Sequence, residues 1–275
     1  MKKLWVFVRR FTGLYNENNL PIASAALSYH LTMTFFPLVI VLYFMLGNNY
    51  VKAMRILAFV EHLMAEETVE FIRDFLVYVA TDRSKAMLIA GVTVLVTSSS
   101  AAARTLHRTI GRMQGGVRYR GLWGILFSVV FSLLLVAGIY LVIIIMLAGR
   151  GLMDRLNSII PLVDISAGWD SVRFLLLAGI VLILLWGIYL ATQKKGERYP
   201  TYPGAILATL AMVAVSYAYS AVLSASAKYP LVYGSLASMI LLMLWLYSGS
   251  LVIFCGAALN IVLRDMDREK KKEIT

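Results

Sequence analysis

Arg104, Arg108 and Arg112 recur at four-residue spacing, so on a helix they form one stripe of guanidinium groups. Gly115 and Gly116 follow, then Arg118 and Arg120, and no Asp or Glu stands between Asp82 and Asp154 to neutralise them. A guanidinium offers planar, paired donors that match the oxygens of a phosphate. Arg104, Arg108, Arg112, Arg118 and Arg120 are therefore candidates for holding an anionic headgroup. The plainer reading of the same residues is a positive anchor, for which Lys would serve equally.

Catalytic chemistry is hard to find elsewhere. His30, His62 and His107 are scattered and form no metal-ligand pair, and there is no H-E-x-x-H, P-loop or G-x-S-x-G. Glu61, Glu66, Glu67, Glu70, Asp74 and Asp82 lack the spacing of a metal site and read as solvated helix faces. Cys255 is the single cysteine; flanked by apolar residues, it reads as a packing residue and excludes an intrachain disulfide. The expectation is a chain that is no enzyme and takes no metal or cofactor.

The elements that must position the arginines follow from charge spacing. Of 275 residues, 60% are apolar and 15% charged, and six stretches of 18 or more residues carry no charge: 18–51, 86–103, 121–149, 174–193, 199–227 and 229–263. A bilayer core takes roughly 20 apolar helical residues. The spacing predicts an all-α, polytopic membrane bundle in a single domain, 1–275, with six spans near 24–46, 86–106, 123–148, 173–192, 204–225 and 235–262. The N-terminal run is too long for the h-region of a cleavable signal and has no A-x-A-type site behind it.

Counting Lys and Arg on alternate sides of these spans gives 17 on the side of both termini, against 6 acidic residues, a net of +11. The other side holds 9 of each, a net of zero. The bias puts both termini in the cytoplasm. The basic residues follow membrane edges in short clusters, so a pI near 9.8 reads as attraction to anionic inner-leaflet lipid and not as nucleic-acid binding.

Segment 47–85, placed outside, reads as two amphipathic helices. Ile56, Phe59, Val60, Leu63 and Met64 mark the first, and Val69, Ile72, Leu76 and Val79 the second. Such helices lie on the outer leaflet or cap the bundle. Within the spans, Pro37 predicts a kink near 33–37. Ser24, Ser28 and Thr32 share one face of span one, Ser216, Ser220 and Ser224 one face of span five, and Thr93, Thr97 and Ser98 to Ser100 enrich span two. Small hydroxyl residues allow close helix packing. The competing reading is a polar cavity lined by Ser24, Ser28, Tyr29, Thr32, Pro37, Thr97, Ser100, Ser216, Ser220 and Tyr233, with Tyr217, Tyr219 and Tyr247 as further hydroxyls. No charge falls at the centre of a span, which argues against an ion-driven carrier.

The chain resembles the YihY/BrkB family of bacterial inner-membrane proteins, formerly mislabelled ribonuclease BN. The likeness rests on Ala25-Ala26-Leu27-Ser28-Tyr29 with Phe36-Pro37-Leu38, and on Thr97-Ser98-Ser99-Ser100 with Arg104. It continues through Tyr199-Pro200, Pro203-Gly204-Ala205, Tyr233-Gly234-Ser235-Leu236, Leu244-Trp245-Leu246-Tyr247 and Gly256-Ala257-Ala258-Leu259-Asn260. It implies six spans, cytoplasmic termini, a role in envelope integrity, and transport of a lipid-like or small substrate. Family members often carry Glu where this chain has Ala258, so a carboxylate that couples transport in relatives is missing here. The ribonuclease label finds no metal-holding His and Asp cluster. The expected function is binding or moving an anionic lipid or amphiphile in the inner membrane. The alternative is a scaffold that docks an unidentified envelope partner through helices 51–80.

Overall fold

Apolar length decides which elements can cross a bilayer. In a computed structural model, four helical stretches are long and apolar enough: Leu20–Met45, Lys85–Met113, Tyr202–Tyr219 and Met239–Lys270. A shorter apolar helix covers Leu177–Thr192. The structure describes residues 2–45, 49–60, 66–81, 84–116, six positions between 124 and 133, 169–194, 196–197, 199–225 and 235–272. Most of the expected third span, 123–148, lies outside these residues.

The described residues form α1 (Lys2–Glu17), α2 (Leu20–Met45), α3 (Tyr50–Val60), α4 (Glu66–Thr81), α5 (Lys85–Met113), α6 (Trp169–Thr192), α7 (Tyr202–Ala225) and α8 (Ser235–Lys272), with no strand among them. Five of the expected spans thus coincide with helices. α3 and α4 stand where the two amphipathic helices were expected.

Helix α8 is the hub: it packs on α1, α2, α4, α5 and α7, while α2 and α5 share the most extensive interface of the bundle. Phe254, Ala257, Ala258 and Ile261 of α8 are buried among Leu20 and Leu27 of α2, Ile110 of α5, Tyr189 of α6 and Ala205 of α7. A second core fills the opposite end: Val69, Ile72, Leu76 and Val79 of α4 close on Ala53 and Leu57 of α3 and on Tyr43 of α2. The apolar stripe of α4 is thus turned inward, as its four- and three-residue spacing requires. Elsewhere Ile22, Ile89, Ile183 and Leu210 point outward, as side chains facing lipid do.

Helix α2 runs unbroken through Pro37, which is buried. Proline has no N–H, so the carbonyl of Met33 loses its usual helical donor.

Two features go beyond the sequence reading. The N-terminal segment is a helix, with Phe11, Leu14 and Tyr15 packed on the core and Leu4, Trp5 and Val8 exposed. Helix α8 does not stop at 262 but continues to Lys272, so its 38 residues span about 57 Å at 1.5 Å each. The charged segment after 262 is therefore largely its continuation. Arg10 of α1 pairs with Glu269 on this extension.

Candidate anion site and helix junction

The arginine stripe is built on the C-terminal half of α5. Ser84 caps the start of that helix, accepting the N–H of Ala86 at 3.1 Å. The far end closes on Gly115, whose φ of +76° only glycine adopts without strain. There the N–H of Gly116 donates to the carbonyl of Gly111 and that of Gly115 to Arg112, both at 2.9 Å, so the helix ends in a Schellman motif.

Arg104 is half-buried and donates from Nη1 to Ser100 Oγ at 2.8 Å; Ser100 itself is buried. Arg108 and Arg112 are exposed, and Arg112 reaches Thr109 Oγ1 at 3.4 Å. Among the described residues none of the three meets a carboxylate, whereas Arg10, Arg264 and Arg268 each do. Arg118 and Arg120 lie outside the described residues.

The residues expected around a polar cavity divide into two sets. Ser24, Ser28 and Thr32 are buried, and each hydroxyl donates to a carbonyl of its own helix: Leu20 at 2.7 Å, Ala25 at 2.9 Å and Ser28 at 2.9 Å. Tyr29 and Thr97 are exposed, Thr97 donating to the carbonyls of Thr93 and Val94. Ser216 accepts Trp245 Nε1–H at 3.3 Å, joining α7 to α8. The side chain of Ser220 and all of Tyr233 lie outside the described residues. The hydroxyl bond that crosses the α2–α5 seam is Thr34 Oγ1 to Ser98 Oγ, 3.1 Å.

A second polar assembly sits where α6, α7 and α8 meet. Asn260 is buried; its Oδ1 accepts the N–H of Gly204 at 2.7 Å and its Nδ2 donates to the carbonyl of Thr201 at 2.9 Å. It caps the first turn of α7 from a neighbouring helix, a task that usually falls to the residue just before the helix. Tyr189 on α6 donates to the carbonyl of Ile253 on α8 at 2.8 Å.

Next to this junction, Arg264 on α8 holds Glu197 at 2.9 Å and Asp265 at 2.8 Å, and lies over the Tyr199 ring at 5.3 Å. Burial pushes the Tyr199 phenol up to about 12, against the opposing pull of the Arg264 charge.

The family model described as Virulence factor BrkB matches residues 11–274, nearly the whole chain. The chain belongs to the BrkB family. No curated protein and no solved structure matches it. Family membership and four span-length apolar helices make it a membrane protein. In this BrkB chain several of the segments that carry the resemblance turn out to be the junction itself: Tyr199-Pro200, Pro203-Gly204-Ala205 and the run from Gly256 to Asn260 all meet there. Ala258 is fully buried in the core.

Sequence reasoning missed the role of Asn260, although the letters of its motif were noted.

Proposed function

We propose that this BrkB-family chain is a six-span inner-membrane protein, with both termini in the cytoplasm, that binds an anionic lipid or amphiphile at the cytoplasmic end of α5. The binding serves envelope integrity, as a carrier or receptor for that amphiphile and not as an enzyme. The observation that carries the reading is Arg104. It is a half-buried cation on an apolar helix, steadied by Ser100, with no carboxylate on it among the described residues. A half-buried cation is costly to leave unpaired, and proteins keep one when it has a partner or a task. Arg108 and Arg112 continue the same face toward the helix end and supply further guanidinium groups.

The alternative, a scaffold docking a partner through α3 and α4, draws less support, because the apolar stripe of α4 is already used inside the molecule.

The test replaces Arg104, Arg108 and Arg112 together by Lys. Charge is kept and the planar fork is lost. The expected result is normal insertion, weaker retention of anionic lipid in native mass spectrometry, and no restoration of envelope function in a deletion strain. Full complementation with unchanged lipid would reduce the stripe to an anchor.

A further inference from the structure

Helix α1 carries one apolar stripe, and the fold uses only part of it. Leu4, Val8, Phe11 and Tyr15 recur at four- and three-residue spacing and so share a face. Phe11 and Tyr15 pack on the core with Leu14, and Phe7 stacks on Phe11 at 6.2 Å. Leu4 and Val8 are 70% and 50% exposed, and Trp5 beside them is 64% exposed. The N-terminal half of the stripe thus overhangs the bundle.

Charge indicates what covers it. Lys2, Lys3 and Arg9 accompany the overhang, and Glu17 at the far end is the one acid in the sequence of α1. Arg10 is already paired with Glu269 of α8. Lys2 and Lys3 stand in the first turn, where the helix dipole favours anions. An external negative charge offsets that mismatch. The Arg9 guanidinium lies over the Trp5 ring at 5.4 Å. Tryptophan and basic side chains collect at the headgroup layer, where an apolar body and a polar tip are both accommodated.

Position in the chain points the same way. Asn18 and Asn19 alone separate α1 from α2, and the apolar span begins at Leu20. Asn19 turns the chain with a φ of +48°, and Asn18 Nδ2 donates to the carbonyl of Leu14 at 3.0 Å. The end of α1 is therefore tied to the edge of the bilayer that α2 crosses.

We propose that α1 is an interfacial helix. Its Leu4, Trp5 and Val8 face inserts into the leaflet at the start of α2, and Lys2, Lys3 and Arg9 select anionic headgroups there. Insertion of this kind is shallow, roughly 5–10 Å. It needs α2 to span the bilayer and is independent of the arginine stripe on α5.

The test places the full chain, carrying Cys255→Ala, in nanodiscs of phosphatidylcholine with or without phosphatidylglycerol. A nitroxide is attached at Leu4→Cys, Val8→Cys or, on the opposite face, Glu17→Cys. All three positions are exposed, so the labels leave the packing intact. Collision with oxygen, which concentrates in hydrocarbon, is compared with collision with a water-soluble nickel chelate. In discs containing phosphatidylglycerol, oxygen should dominate at positions 4 and 8 and nickel at 17. Replacing Lys2, Lys3 and Arg9 by Gln should lower the inserted-to-free ratio about fivefold for each cation lost, in the anionic discs only. Nickel dominating at 4 and 8 in both kinds of disc would overturn the proposal. Protection from both reagents would overturn it as well, because protein, such as a second copy of the chain, would then cover the face. Insertion that is equal in the two discs and indifferent to the Gln substitutions would overturn the selection of anionic lipid.

Discussion

Gly204 on α7 lies so close to Gly256 on α8 that a Cβ built at 204 would stand 2.1 Å from the carbonyl oxygen of Gly256. A Cβ at 256 would in turn meet the Tyr189 hydroxyl at 2.5 Å and the Gly204 carbonyl at 2.8 Å. The atom nearest to a Cβ at 204 is a backbone carbonyl oxygen, which cannot swing aside, and the Asn260 amide beside it is held by its own hydrogen bonds. Gly204→Ala should therefore cost about 3 kcal/mol or more, the upper end of what overpacking does. Gly179→Ala and Gly187→Ala, where nothing lies within 4 Å, should be neutral or gain up to about 1 kcal/mol from helix propensity. Thermal melting of the detergent-purified proteins separates the two classes; a Gly204→Ala protein as stable as wild type would mean that the helices are not in backbone contact.

Asn260→Ala removes both bonds that tie α8 to the start of α7; it leaves the Gly204 N–H buried without its acceptor, while the Thr201 carbonyl keeps the Ala205 N–H at 3.3 Å. A buried group left unpaired costs about 1–3 kcal/mol. The variant should melt well below wild type, and amide exchange at Gly204 should quicken. Unaltered exchange there would show that the cap is not what protects that turn.

Tyr199 makes alkaline stability a readable quantity. Its phenol is held neutral to about pH 12 in the folded chain, against an ordinary value near 10, chiefly by burial. Raising the folded value stabilises the fold below pH 10, and that contribution is lost as pH climbs from 10 through 12. Tyr199→Phe should therefore lose less stability than wild type over that window in parallel denaturation series. Equal slopes would mean that the Tyr199 phenol is solvated in the folded protein.

Arg264 is buried between two carboxylates and an aromatic ring, with Arg268 reaching the same Glu197 at 3.3 Å. Arg264→Ala leaves Glu197 with the weaker, exposed partner. The expected loss lies between the about 1 kcal/mol of an exposed pair and the about 3 kcal/mol of a buried one. Arg268→Ala should fall within about 0.5 kcal/mol of wild type. Thermal shift measurements on both variants rank them, and the reverse order would place the latch on Arg268.

Topology is tested with the natural Cys255 replaced by Ala, so that new cysteines report alone. Cysteines at the exposed positions Glu70 and Lys270 should label from opposite sides of intact cells. Labelling of both from one side would overturn the assignment built on the 17-to-9 division of Lys and Arg.

Four of the expected spans and the α3–α4 pair were legible because bilayer length and helical period are properties of a single segment. Val69, Ile72, Leu76 and Val79 could be seen as one stripe before it was known what they faced. The N-terminal helix was harder to read: Lys2, Lys3, Arg9 and Arg10 drew the reading to topology and hid the stripe of Leu4, Val8, Phe11 and Tyr15. The continuation of α8 beyond the expected span was not legible, because the charge that stops a span does not stop a helix. The arginine stripe was visible as spacing, whereas the Thr34–Ser98 bond across the α2–α5 seam, 64 positions apart, leaves no signal in the letters. Asn260 and Gly204 are likewise 56 positions apart, and only the folded chain brings an amide to a helix start.

The glycine notch has a mechanical meaning. Sliding α7 along α8 by one residue would bring the methyl group of Ala205 or Ala257 toward backbone that now faces hydrogen, and would tear Asn260 from the turn it caps. The two helices can pivot about that point but cannot shear. Any sliding motion in this molecule must therefore carry the two helices together and find its give along seams that lack such a lock.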